Sequence, residues 1–146
     1  MPEQPLTNAI VRVARLHRMI AAHLLRNAGL RLGQELVMMQ LWERGPQSQT
    51  ELVRILGSDS ATMTRTVRRL ESAGFVRIKP STTDKRATVV EATPASQLVR
   101  REVERIWSVL EDGATSELTS DQQDDAVALL QRIEDGLTRV ADRSTT

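Results

Sequence analysis

The sequence predicts a mainly α-helical chain carrying one small β-hairpin, on three observations. Apolar residues recur at spacings of three and four along most of the 146 residues, the period of amphipathic helices. Only residues 75–93 break that period: "FVRIKP" alternates apolar with basic side chains and "ATVVEAT" is rich in β-branched ones, which is strand-like. Charge is also segregated, with a basic middle between a mildly basic start and an acidic end.

Each element follows from local signals. Leu6, Ile10, Val13, His17, Ile20 and Leu24 are spaced 4, 3, 4, 3, 4 and form one stripe on a first helix. It stops at "NAG" (27–29), where Gly29 suits a left-handed C-terminal cap. A second helix over about 33–44 is expected to bury Leu36, Val37, Met39 or Gln40, and Leu41, and "RGPQSQ" breaks it. "SQTELVRILG" (48–57) opens on cap-forming residues and closes on Gly57 as a short third helix. Ser58 or Asp59 caps the fourth, which ends at "AG" (73–74). The hairpin turns through "STTDKR" (81–86). Thr93 and Pro94 then open a helix carrying Val99, Val103, Ile106 and Leu110, with Gly113 and a polar linker after it. "TSDQ" (119–122) is a capping-box pattern for the last helix, striped by Ala126, Leu130, Ile133, Leu137 and Val140.

Composition narrows the function. No window approaches a spanning segment, because Arg12, Arg15 and Arg18 interrupt the first apolar stretch, so no membrane partner and a cytoplasmic location are expected. There is no cysteine, which excludes disulfide frameworks, thiolate metal sites and cysteine redox sensing. His17 and His23 lie six apart, about 240° around a helix, too divergent for a shared metal. With no glycine-rich phosphate loop, nucleophile motif or metal-ligand cluster, neither an enzyme nor a cofactor is expected. Residues 44–90 carry nine Lys/Arg against four acids, whereas residues 91–146 have a net charge of −6. The middle segment alone is thus suited to a polyanion.

The fourth helix concentrates that character. In "SATMTRTVRRL" (60–70), Met63, Val67 and Leu70 fall within about 60° of one another on a helical wheel, and Ala61, Arg65, Arg68 and Ser72 lie roughly opposite. A narrow apolar stripe docks the helix and leaves a basic face of little bulk, as a helix entering a DNA major groove requires. Helix–turn–helix followed by a basic hairpin reads as a winged helix. The terminal helices carry heptad stripes that a chain of this length has few ways to cover, which points to a homodimer.

Residues 30–93 closely resemble the DNA-binding core of the MarR family of bacterial regulators. The matching pieces are "QTELVRILG", "TMTRTVRRLESAGFV" and the wing "DKRATVV". The resemblance implies a winged helix-turn-helix lobe over 31–93, with 1–30 and 94–146 as helical dimerisation region. It implies a dimeric, sequence-specific transcriptional regulator on a pseudo-palindromic operator in double-stranded DNA: a repressor relieved by a small aromatic or phenolic ligand. Residues 58–73 would enter the major groove and Arg86 the minor groove, with Asp84 bracing Arg86 by a salt bridge. DNA-contact candidates are Gln49, Thr50, Ser60, Ala61, Thr64, Arg65, Arg68, Arg69, Asp84, Lys85 and Arg86. Ser48 matches a phosphate-touching position too. Ile78 stands where many members have a basic residue, and Ser96 where glycine is common.

Ligand candidates are Arg15, His17, Met38, Trp42 and Trp107. His17 reads equally as a hydrogen-bonded histidine in a dimer seam, the two tryptophans as core, and Arg15 as a solvated charge. A regulator without a small-molecule ligand and a winged-helix protein-interaction module are the alternative readings.

Overall fold

The computed structural model describes residues 3–84 and 86–145. Among them the elements run α1 (Pro5–Asn27), α2 (Gln34–Arg44), β1 (Gln47–Ser48), α3 (Gln49–Leu56), α4 (Ser60–Ser72), β2 (Val76–Pro80), β3 (Thr88–Ala92), α5 (Gln97–Thr115) and α6 (Ser120–Ser144), with a 3-10 turn at Pro94–Ser96. The chain forms two compact units, Met1–Leu110 and Glu111–Thr146. No helix among the described residues is long and apolar enough to cross a membrane.

In the first unit one apolar cluster joins α1 (Leu25), α2 (Val37, Met38, Leu41), α3 (Leu52), α4 (Met63, Val67, Leu70), the sheet (Val76, Val90) and α5 (Val103, Ile106). The stripe read for α4 is therefore the one that docks it. Two helices end identically. After α1, Leu30 N–H reaches Leu25 O at 2.9 Å and Gly29 N–H reaches Arg26 O at 3.1 Å; after α4, Phe75 N–H reaches Leu70 O and Gly74 N–H reaches Glu71 O, both at 2.9 Å. Gly29 and Gly74 sit at φ +80° and +83°, the left-handed closure that "NAGL" and "SAGF" encode.

The sheet has three antiparallel strands in the order β1-β3-β2, where a two-stranded hairpin was expected. Val76 faces Ala92 and Pro80 faces Thr88 in the β2–β3 ladder, and β1 adds Gln47 opposite Val90. Two further expectations are corrected. On α2, Leu36 is exposed, whereas Met38 and Glu35 are buried, because the helix packs with its Val37–Met38–Leu41 side. Gly113 does not stop the fifth helix, which continues to Thr115; its φ is not positive, and an interior glycine costs only about 1 kcal/mol.

The middle of α1, residues 11–20, is wholly exposed, including Val13 and Ile20 of its stripe. In the second unit α6 opens on the expected capping box, with Thr119 and Gln122 bonding reciprocally. No residue of α6 is buried, and Leu130, Leu137 and Val140 are each more than half exposed.

Candidate nucleic-acid interface

Helix α4 begins where Asp59 places both carboxylate oxygens on Thr62: Oδ1 accepts from the backbone N–H at 2.7 Å and Oδ2 from the hydroxyl at 2.8 Å. These bonds hold the Asp59 carboxyl below its ordinary value, the backbone bond contributing most. The α3–α4 turn is locked by a second contact. Gln49 Nε2 donates to Thr64 Oγ1 at 2.6 Å, and that hydroxyl donates onward to Ser60 O at 2.9 Å. Gln49 and Thr64, both DNA-contact candidates, thus hold each other, and Thr64 has its hydroxyl engaged twice. Ser48 accepts from Glu51 N–H as the cap of α3.

On the outer side of α4, Ser60, Ala61, Arg65, Arg68 and Arg69 are exposed, as is Thr50 on α3. Arg65 reaches back to Thr62 Oγ1 at 3.3 Å. Among the described residues none of Arg65, Arg68, Arg69 and Arg86 forms an ion pair. The pairs lie elsewhere: Arg54 with Glu51, Arg77 and Lys79 with Glu91, Arg100 with Glu104, Arg105 with Glu102. Charge in the α3–α4–wing region is thus unequally neutralised. Glu91 on β3 pairs with both basic residues of β2 and offsets one of their two charges, and Lys79, at 2.8 Å, holds its carboxyl below the ordinary range. Among the described residues Arg68, Arg69 and Arg86 have no such partner, and Arg65 acts on Asp59 by its charge without forming an ion pair.

The tip is a polar turn built on side-chain acceptors. Ser81 Oγ accepts from the N–H groups of Thr83 and Asp84, and Asp84 Oδ1 accepts from Arg86 N–H at 3.0 Å. The expected salt bridge is therefore corrected: among the described residues Asp84 holds the backbone of Arg86 and makes no ion pair with its guanidinium. Aspartate two residues ahead of an amide closes such a turn locally. Lys85 lies outside the described residues.

The ligand candidates do not converge on one place. Trp42 and Trp107 line a cavity of about 300 Å³ between α2 and α5, together with Met39, Glu43, Arg100 and Glu104. Trp107 also borders a smaller cavity of about 150 Å³ with His17, Leu25, Glu35 and Ile106; its ring lies 6.2 Å from that of His17 at 54°. Met38 is fully buried in the core and Arg15 is exposed on α1; neither lines these cavities. Glu35, 3% exposed, accepts from Gly33 N–H at 2.8 Å, and burial pushes its carboxyl above the ordinary value. Among the described residues no group of three His, Asp or Glu is placed to hold a metal ion.

One relationship was missed in the sequence. Trp42 Nε1–H donates to Ser96 Oγ at 3.0 Å, and Ser96 donates to Thr93 O at 2.6 Å. Thr93 Oγ1 in turn donates to Gly74 O at 2.6 Å, directly behind α4. A hydrogen-bonded chain thus runs from the wall of the larger cavity to the end of the basic helix. Ser96 replaces an expected glycine, and that departure was its only signal.

Residues 30–88 match the model of the MarR family. Solved structures align over almost the whole chain. A MarR transcriptional regulator from Methanosarcina mazei Go1 aligns at TM-score 0.82 and 20% identity, over 92% of this chain and 98% of that one. A cysteine-to-serine variant of MarR from E. coli, complexed with operator DNA, aligns at TM-score 0.81 and 24% identity, over 88% and 93%. BpsR of Bordetella bronchiseptica, whose DNA binding is regulated by 6-hydroxynicotinic acid, aligns at TM-score 0.81 and 20% identity, over 89% and 93%. At these identities the structural likeness is one of fold.

Proposed function

We propose that this chain, whose residues 30–88 match the model of the MarR family, is a MarR-type winged-helix regulator that acts as a homodimeric repressor of a pseudo-palindromic operator and is released by a small aromatic ligand. In this reading residues 31–93 are the DNA-reading lobe, and residues 1–30 and 94–146 supply the dimer contacts. The observation that carries it is the clustering of exposed guanidinium groups on α4 and the wing tip that form no ion pair among the described residues, while the neighbouring Arg54 on α3 and Arg77 on β2 are paired.

Arg65 and Arg68 are suited to guanine O6 and N7, which a fork-shaped guanidinium meets in two parallel bonds. Arg69, Thr50, Ser60, Ala61, Thr64 and Gln49 line the approach to the phosphates, where released counterions contribute most of the affinity. Arg86 enters the narrow, strongly negative minor groove, on a turn that Asp84 closes. A second copy covers the exposed stripes of α1 and α6 and sets the two α4 helices about one DNA turn apart. A ligand that prefers one dimer geometry shifts the population away from that spacing, to the extent of its preference. The small-molecule control of BpsR is the precedent for that last step.

The test is binding of the purified protein to a labelled duplex from upstream of its own gene, beside a scrambled duplex at the same physiological salt. A preference of about a thousandfold or more is expected. Equal, salt-sensitive binding to both would refute specific regulation and favour a winged-helix module that serves another partner.

A further inference from the structure

The larger cavity carries more information than its size. Two indoles, Trp42 and Trp107, line it beside the thioether-bearing Met39. The indole N–H of Trp42 is already bonded to Ser96, so that side chain offers a ligand its ring and no donor. Three charged groups also line the space: Glu43, Glu104 and Arg100. Arg100 Nε donates to Glu104 Oε1 at 3.0 Å, which neutralises the one cation. Glu43 has no ion pair among the described residues. The lining therefore carries one uncompensated negative charge next to two electron-rich rings.

We propose that this cavity binds a flat aromatic cation. The inference rests on reading the chain as a ligand-controlled regulator, and it names a ligand class opposite in charge to the phenolic anions suggested by family resemblance. Indole faces attract cations through the ring quadrupole, most strongly where water is excluded. A carboxylate without a partner adds Coulomb attraction of the same sign. An aromatic anion would meet the reverse: the charge of Arg100, the one cation of the lining, is already offset by Glu104, and Glu43 repels it. The volume of about 300 Å³ lies at the lower end of ligand sites and fits a two-ring molecule. Bound there, the cation rests on Trp42, the first member of the hydrogen-bonded chain through Ser96 and Thr93 to Gly74.

The experiment is calorimetric titration of the full chain with N-methylquinolinium and, separately, with 2-naphthoate, two flat probes of similar size and opposite charge. The cation is expected to bind about tenfold tighter or more, and Glu43→Gln to weaken it about fivefold while leaving the far-ultraviolet circular dichroism unchanged. Tighter binding of the anion, indifference of the cation to Glu43→Gln, or binding of neither probe at millimolar concentration would overturn the proposal. Calorimetry reads the probe without DNA and the duplex assay reads DNA without probe, so failure of this inference is distinguishable from failure of the regulator reading.

Discussion

The indole of Trp42 and the hydroxyl of Ser96, 54 residues apart in sequence, are hydrogen-bonded at 3.0 Å. Ser96 is fully buried and makes its second bond to Thr93 O. Removal of the hydroxyl strands the indole donor on α2, whereas Thr93 O keeps its bond from Ser96 N–H at 3.1 Å. Ser96→Ala is expected to lower stability by about 1–3 kcal/mol. Combined with Trp42→Phe, the loss should fall short of the sum of the two single losses, because both variants remove one shared bond. Chemical denaturation of the four proteins measures the cycle, and strict additivity would remove this link from the fold.

The wing tip supports a sharper experiment than deletion of its arginine alone. Arg86→Ala should weaken operator binding and reduce the log–log salt slope by up to about one unit, with the thermal midpoint unchanged. Asp84 grips the backbone amide of Arg86, so Asp84→Asn, which keeps an acceptor, should retain most operator affinity. Asp84→Ala should not. Equal losses in the two variants would instead indicate that the negative charge of Asp84 matters.

On α4, Arg68→Ala and Arg65→Ala should each lower operator affinity about tenfold or more and relax preference at one base pair. Neither should change the unfolding midpoint, since both side chains lie outside the core. Arg54→Ala on α3, whose guanidinium is paired with Glu51, is the control and should change affinity far less. Comparable effects from all three would mean that only net charge counts.

Glu35 gives a pH signature. Burial raises its carboxyl above the ordinary value of 4.5, so folding favours the protonated form. Its contribution is fully present below the unfolded-state value and is lost as pH rises through the folded one. The stability of the wild type relative to Glu35→Gln should therefore decline as pH is raised from 4.5 upward. Parallel stability–pH curves for the two proteins would contradict this.

Much of the architecture was legible because it is encoded locally. Met63, Val67 and Leu70 dock α4 since one helical period places them together whatever they pack against. Asp59, Thr119 and the Ala-Gly pairs at 28–29 and 73–74 mark helix ends through bonds that span only a few residues. What escaped depends on distant partners. Strand β1 is two residues long and exists only because β3 lies beside it. The Trp42–Ser96 bond joins elements that no spacing rule connects. Leu36 was misplaced because α2 is packed over a broad side, which weakens the inference from period to burial. The salt bridge expected from Asp84 to Arg86 gives way to a bond with the Arg86 amide, because such a turn-closing bond spans two residues and needs no fixed side chain at an exposed tip.

Helix α4 spans thirteen residues, of which only Met63, Val67 and Leu70 are buried. Its outward positions can therefore be rewritten with little effect on folding, because substitutions there touch neither the core nor the Gln49–Thr64 clamp. Gene duplication followed by drift at 61, 65, 68 and 69 would yield paralogues with new target sequences and unchanged thermal tolerance. The same scaffold is accordingly a good starting point for libraries that randomise those four codons and select for altered promoters.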